Sequence, residues 1–202
     1  MSIRRERKDA VEHRQLILQT ANELFNQHGV QPVSMHQIAK TAGIGQATLY
    51  RRYAHKGDLC LDILDDYGHQ LVELITVYLE ENKQSPAGER LGGIIDYWID
   101  AIEEKSSLIS GLVTAMESKM NCEDERGNYF HSPMYHFFRK KISELLSEVV
   151  QSDLQPPFDA DLTAHFIICS LSPNGYFHIK QEKEYTTSQI KLHLRRLCLP
   201  TI

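Results

Sequence analysis

Ser34–Lys56, SMHQIAKTAGIGQATLYRRYAHK, is the stretch whose reading decides the fold. Ser34 is a strong N-cap, because its hydroxyl can accept from a backbone N–H of the first turn. Met35, Ile38, Ala39 and Ala42 then recur at helical spacing and give one apolar face. Gly43 suits the end of that helix, since it takes the left-handed conformation without a Cβ clash. From Gln46 a second helix runs to about Tyr53. Its Leu49 and Tyr53 lie one turn apart and point inward. The opposite face carries Gln46, Ala47, Thr48, Tyr50, Arg51 and Arg52. Two short helices about a glycine turn, the second with a polar, basic and aromatic outer face, predict a helix-turn-helix.

Working outward, residues 2–9 (SIRRERKD) read as a basic arm, with Arg4, Arg5, Arg7 and Lys8 available for phosphates. A first helix is expected from about Ala10 to His28, closed by Gly29. Its Ile17, Ala21, Leu24 and Phe25 pack on Val33, Met35, Ile38 and Leu49 as a small three-helix core. Pro32 interrupts the loop that follows. A long fourth helix, from Gly57–Asp58 to about Asn82, exceeds what a small head needs and reads as a connector. Helices are then expected over Glu89–Glu104, from Ser106–Ser107 to about Met120, from Pro133 to about Gln151, from Asp159 or Asp161 onward with an interruption at Pro173, and over Thr187–Leu199. Residues 121–132 and 155–158 read as loops. No stretch alternates like a strand. The expected class is all-α with about nine helices: a helix-turn-helix domain over residues 1–57 and a larger helical domain over 58–202.

Charge distribution supports this division. The net charge of −5 argues against a nucleic-acid partner if taken whole. Residues 1–57, however, carry nine Lys/Arg against four Asp/Glu, and residues 58–202 carry thirteen against twenty-three. A basic head on an acidic body is expected when only the head meets phosphates. No apolar run approaches the roughly eighteen residues of a membrane span. The charged N-terminus has no apolar segment behind it. Cys60, Cys122, Cys169 and Cys198 are widely spaced and form no CxxC. These features point to a cytoplasmic chain with reduced thiols, no membrane association, no metal site and no cofactor.

The run IAKTAGIGQATLYRRYAHK resembles the signature of the tetracycline-repressor (TetR) family of bacterial transcription regulators. The matching positions are Ile38, Ala39, Ala42, Gly43, Ile44, Thr48, Leu49, Tyr50, Tyr53 and Lys56. Two departures stand out. Gly45 opens the recognition helix where the family has Ser or Thr, and Gly57 follows the lysine where the family has an acidic residue, leaving Asp58 to cap the next helix. The resemblance implies that Gln46, Ala47, Tyr50 and Arg51 read bases, and that Thr48, Tyr50 and Lys56 contact the backbone. Side-chain chemistry agrees: Gln46 fits adenine N6/N7, Arg51 fits guanine O6/N7, and Ala47 fits a thymine methyl. His36 and Gln37, at the start of helix 2, can reach an edge base or phosphate, and Arg52 extends the basic face.

One head reads only a half-site, so a homodimer on a palindromic double-stranded operator is expected. The expected seam is Phe166, Ile167, Cys169, Ser170, Phe177, Ile190, Leu194 and Leu197. The resemblance implies a four-helix bundle there and an effector pocket in the middle helices, for which Trp98, Met116, Met120, Tyr135, Phe137 and Phe138 are the candidates. An apolar or amphipathic small molecule would relieve repression by shifting populations. Two other readings stand second. A thiol- or metal-responsive regulator would draw on the cysteines, or on His131 and His136 near Glu123, Asp124 and Glu125. An α-helical enzyme has little to build on, since no catalytic motif is present.

Overall fold

The computed structural model describes residues 2–117, 129–150 and 159–198. Over these residues the chain forms ten α-helices and no strand. They are α1 (Ser2–His28), α2 (Met35–Thr41), α3 (Gln46–Arg52), α4 (Lys56–Glu81), α5 (Ala87–Glu104), α6 (Ser106–Glu117), α7 (Pro133–Val150), α8 (Ala160–Ser170), α9 (Pro173–Lys183) and α10 (Thr187–Cys198). A 3-10 turn, Tyr129–His131, precedes α7. The all-α class stands as expected. The helix number exceeds nine because Leu171, Ser172 and Pro173 split one apolar stretch into α8 and α9, Ser172 accepting from Gly175 N as the new N-cap. Helix α1 begins at Ser2 rather than Ala10. The charged stretch ahead of Ala10 contains no glycine or proline to stop it.

The helices cluster into two compact units. The first holds α1–α3, α4 through Tyr67, and α6; the second holds α4 from Gly68, α5, and α7–α10. A division after Gly57 was expected, whereas the compact units part within α4 and the first one takes up α6.

The first unit is built around α1. Its apolar face, Ile17, Leu18, Ala21 and Phe25, is buried with Val33, Ile38, Ala39, Leu49 and Tyr53. Three helices do not close this core. Leu59, Cys60 and Ile63 of α4 and Leu108 of α6 complete it, with Leu112 packed at its edge. The reason is size: α2 and α3 have seven residues each, too few to cover one face of α1. Local signals work as read. Ser34 Oγ accepts from Gln37 N at 3.1 Å, and Gly29 and Gly43 take φ of +78° and +67°. The start of α4 uses a reciprocal cap of its own. Asp58 Oδ2 accepts from Ala54 N and His55 N at 2.9 and 3.2 Å, while His55 Nδ1 accepts from Asp58 N at 3.3 Å.

Two contacts clamp the α1–α2 loop. Lys56 Nζ donates to the carbonyls of Val30 and Gln31 at 2.8 and 2.7 Å. On α6, Gly111 lies so close that a Cβ there would sit 2.6 Å from Val30 Cβ. Across the unit, Arg14 forks onto Asp62 through Nε and Nη2 (3.1 and 2.7 Å) and onto Asp66 through Nη1 and Nη2 (3.0 and 2.8 Å). Tyr53 donates to Asp62 Oδ2 at 2.5 Å. Burial works against charge on Asp62, yet the hydrogen bonds from Arg14 and Tyr53 outweigh it and hold its pKa below the ordinary value. Burial, and then the bond to Asp62, push Tyr53 up to about 12.

In the second unit α5 is central. Trp98 of α5 and Phe138 of α7 stack with ring centroids 3.9 Å apart. Along its other side α5 presents Asp96, Asp100 and Glu103, one per turn. These meet Arg195 and Lys191 of α10 and Lys180 of α9, and Glu103 also accepts from Tyr176 and Thr187. Arg139 of α7 binds Asp161 of α8 at 2.8 and 2.6 Å, and the hydroxyl of Tyr135 meets His165 Nδ1. Asp159 caps α8 by accepting from Leu162 N at 2.9 Å.

Two predictions follow from the first unit's packing. Gly111→Ala should lower stability, since overpacking costs about 1–3 kcal/mol and exceeds the helix-propensity gain of about 1 kcal/mol. In a Val30→Gly background the same change should instead stabilise; equal effects of Gly111→Ala in both backgrounds, read from urea midpoints, would refute the contact. The depressed Asp62 pKa contributes stability above the unfolded value, near about pH 4, which is lost as pH falls through the folded value. Asp62→Asn should therefore destabilise at pH 7, with the difference from wild type shrinking toward zero below about pH 4. A difference independent of pH would contradict the network.

Candidate nucleic-acid interface

Helix α3 is divided sharply between its two faces. Leu49 is fully buried and Tyr53, its C-cap, is 4% exposed. Gln46, Ala47, Arg51 and Arg52 are exposed, Tyr50 is 50% exposed, and Thr48 is half-buried. Gly45 supplies no side-chain cap, so α3 is held by Leu49 and Tyr53 rather than by its start. Arg51 makes no ion pair among the described residues, while Arg52 is engaged by Tyr53. On α2, His36 is exposed and Gln37 half-buried. The structure thus leaves His36 of α2 and Gln46, Ala47, Tyr50, Arg51 and Arg52 of α3 exposed, and brings His36 and Gln46 into contact.

Two expected contact residues carry partners that sequence reading did not anticipate. The Lys56 ammonium is committed to the Val30 and Gln31 carbonyls, which leaves one of its three N–H groups. Its first task is therefore to hold the loop between α1 and α2. The Gln46 amide nitrogen hydrogen-bonds His36 Nδ1. Arg14, though basic, is neutralised by Asp62 and Asp66 and adds nothing to the outward charge. The side chains of the basic arm lie outside the described residues.

Among the described residues, the expected effector candidates are packed against one another and their neighbours. Trp98 is 3% exposed and stacked on Phe138, which is fully buried, so the pair fills the core between α5 and α7. Tyr135 is buried with its hydroxyl on His165, and Phe137 is half-buried against the edge of Phe138. The Met116 side chain and all of Met120 lie outside the described residues.

The expected seam residues separate by exposure. Ile167 and Ile190 are buried and belong to the core of their own chain, because their helix faces turn inward. Ser170, Phe177 and Leu194 are half-buried. Cys169 is exposed, Phe166 is 67% exposed and Leu197 is 70% exposed. Leu162, Ile179, Tyr185 and Leu192 are exposed as well and were missed. Leu162, Phe166 and Cys169 recur at i, i+4 and i+7 along one face of α8, a periodicity that was available to be read. An apolar groove of about 420 Å³ between α8, α9 and α10 is lined by Leu171, Ile179, Tyr185, Leu192 and Leu197 among others.

Cys60 is buried in the first unit's core, and burial pushes its thiol up to about 11, which suits packing and not redox sensing. Cys122 and the Cys198 side chain lie outside the described residues. Among the described residues no group of three His, Cys, Asp or Glu is placed to hold a metal ion, and no helix is long and apolar enough to cross a membrane.

With this geometry in hand, comparison with known proteins is direct. Residues 17–63, which run from the core face of α1 into α4, match the family model "Bacterial regulatory proteins, tetR family". An HTH-type transcriptional regulator of Staphylococcus aureus strain USA300 is 44% identical over 89 residues, covering 37% of this chain and 48% of that protein. The matched part spans less than half the length of the curated relatives. A crystal structure of a TetR/AcrR-family transcriptional regulator from Thermobifida fusca superposes with a TM-score of 0.67 at 17% identity, covering 94% of this chain and 97% of that one. AibR, solved in complex with isovaleryl coenzyme A and operator DNA, gives 0.56 at 20% identity over 94% of this chain and all of that one. At these identities the structural likenesses establish the fold, while the sequence match falls on the helix-turn-helix itself. Residues 17–63 thus carry the helix-turn-helix of the TetR family of bacterial transcriptional regulators, on a chain whose fold is that of the Thermobifida fusca TetR/AcrR-family structure.

Proposed function

We infer that the chain is a sequence-specific transcriptional repressor that binds a two-fold-symmetric operator as a homodimer and is released by a small molecule. One observation carries the DNA-binding part: the exposed face of α3, with Gln46, Ala47, Tyr50 and Arg51, rides on a helix whose inner face is fully buried. A recognition helix must enter the major groove without yielding, and burial of Leu49 and Tyr53 gives it that rigidity. In this reading Arg51 pairs with guanine, Gln46 with adenine and Ala47 with a thymine methyl. Tyr50 and Thr48 bond phosphates and set the register without reading sequence. Lys56 acts mainly from behind, by fixing the loop against which α2 and α3 stand.

A second copy of the chain is the partner that best fits the exposed apolar side of α8–α10. Phe166, Leu197 and the groove beside them leave more apolar surface open than isolated exposed residues require. Dimerisation there would double the half-site and supply specificity that one short helix lacks. The effector is read as an apolar or amphipathic molecule held among the middle helices of the second unit. AibR, of the same fold, was solved with an acyl coenzyme A and operator DNA together. Entry of such a molecule would part the Trp98–Phe138 stack and favour the conformation that releases DNA. The protein would act in the cytoplasm, where its operator is.

Selection of binding sites from random duplexes by the full chain tests this reading. The expected product is a palindrome with half-site centres about 34–36 Å apart or a multiple of that. Arg51→Ala should relax preference at one position of each half-site and cost about 1–3 kcal/mol of specific binding. An unchanged base preference in that variant would remove Arg51 from the reading surface.

A further inference from the structure

His36 is the second residue of α2 and Gln46 the first residue of α3. The turn at Gly43, with its φ of +67°, folds the two helix starts toward each other. Both side chains are exposed, and the Gln46 amide nitrogen bonds to His36 Nδ1. An amide nitrogen only donates, so Nδ1 accepts and the ring proton sits on Nε2.

The chemistry of a primary amide gives this contact a consequence for recognition. Glutamine has two N–H groups and one oxygen. Bidentate pairing with adenine uses one N–H and the oxygen, giving to N7 and accepting from N6. One N–H remains, and it is this surplus donor that His36 can take up without spoiling the reading edge. The terminal torsion of glutamine is broad and two-fold, so a side chain with no neighbour presents either edge. Beside His36 in this Nε2–H tautomer the flipped amide would set its oxygen against the Nδ1 lone pair, which is repulsive. His36 therefore selects one amide orientation and pins it before DNA arrives.

We propose that His36 is a positioning residue for specificity, fixing the Gln46 amide so that the head discriminates adenine at the base Gln46 faces. The proposal rests on the DNA-reading role inferred above. It differs from a direct edge or phosphate contact by His36, which the sequence alone suggested. Preorganisation of this kind raises discrimination because the orientation is fixed before binding.

The test is binding-site selection with the full chain, run on wild type, Gln46→Ala, His36→Ala and His36→Asn. Wild type should select adenine at one position of each half-site, and Gln46→Ala should erase that preference and so identify the position. His36→Ala should lower discrimination about five- to tenfold at that position alone. His36→Asn, whose Oδ1 is bonded to Cγ as Nδ1 is in histidine, should restore it. Full discrimination retained in His36→Ala would overturn the proposal. So would an even loss across all positions, which is the mark of a phosphate contact or a structural role. A wild-type chain that selects no sequence at all would overturn the DNA-reading role itself, and the two failures are thereby told apart.

Discussion

A seven-residue helix has little stability of its own, and burial of Leu49 and Tyr53 is what gives α3 its place. The exposed side chains of α3 are held in place by that anchorage. With no side-chain cap at Gly45, the N-terminal turn of α3 adds little. The inner face therefore carries the helix, and it packs into a core shared by α1, α2, α4 and α6. Tyr53 ties this core to a charged network through its bond to Asp62, which Arg14 also grips. The outer face is left free of structural duty and available for recognition.

The participation of α6 changes what counts as the DNA-binding head. Leu108 is buried in the same core as Leu49, and Gly111 lets α6 approach Val30 more closely than any larger residue would allow. On its other side the Val30 loop is held by Lys56. The loop that sets the entry of α2 is thus gripped by the first turn of α4 and by a helix far along the chain. A displacement of α6 would act on the Val30 loop and on the core behind α3 through contacts already in place. The second unit carries its own fixed frame, the row of Asp96, Asp100 and Glu103 against α9 and α10.

Much of the head was legible in the sequence because its signals are local. Ser34, Gly29 and Gly43 act within one turn of their own positions, and the inward pairing of Leu49 with Tyr53 follows from helical spacing alone. Contacts over long separations were not legible. Gly111 against Val30, Lys56 on two carbonyls and Gln46 on His36 have no periodic signature, so α6 was assigned to the body and Lys56 to phosphate. In the second unit, apolar residues at helical spacing serve a core and a seam equally well. Ile167 and Ile190 were placed on the seam but are buried, whereas Leu162, Leu192 and Ile179 were overlooked and are exposed. Trp98 and Phe138 were both named as effector-pocket candidates; that their rings stack on each other depends on packing no pattern encodes.

The central claim is that the outward face of α3 reads DNA sequence. Its most direct test is fluorescence anisotropy of the full chain on a labelled duplex recovered by selection, against a scrambled duplex of the same composition, across a salt series. Tight binding to the recovered duplex that weakens as salt rises is expected, with a preference over the scrambled one of at least about a thousandfold. Equal and weak binding to both, with the same salt dependence, would contradict it.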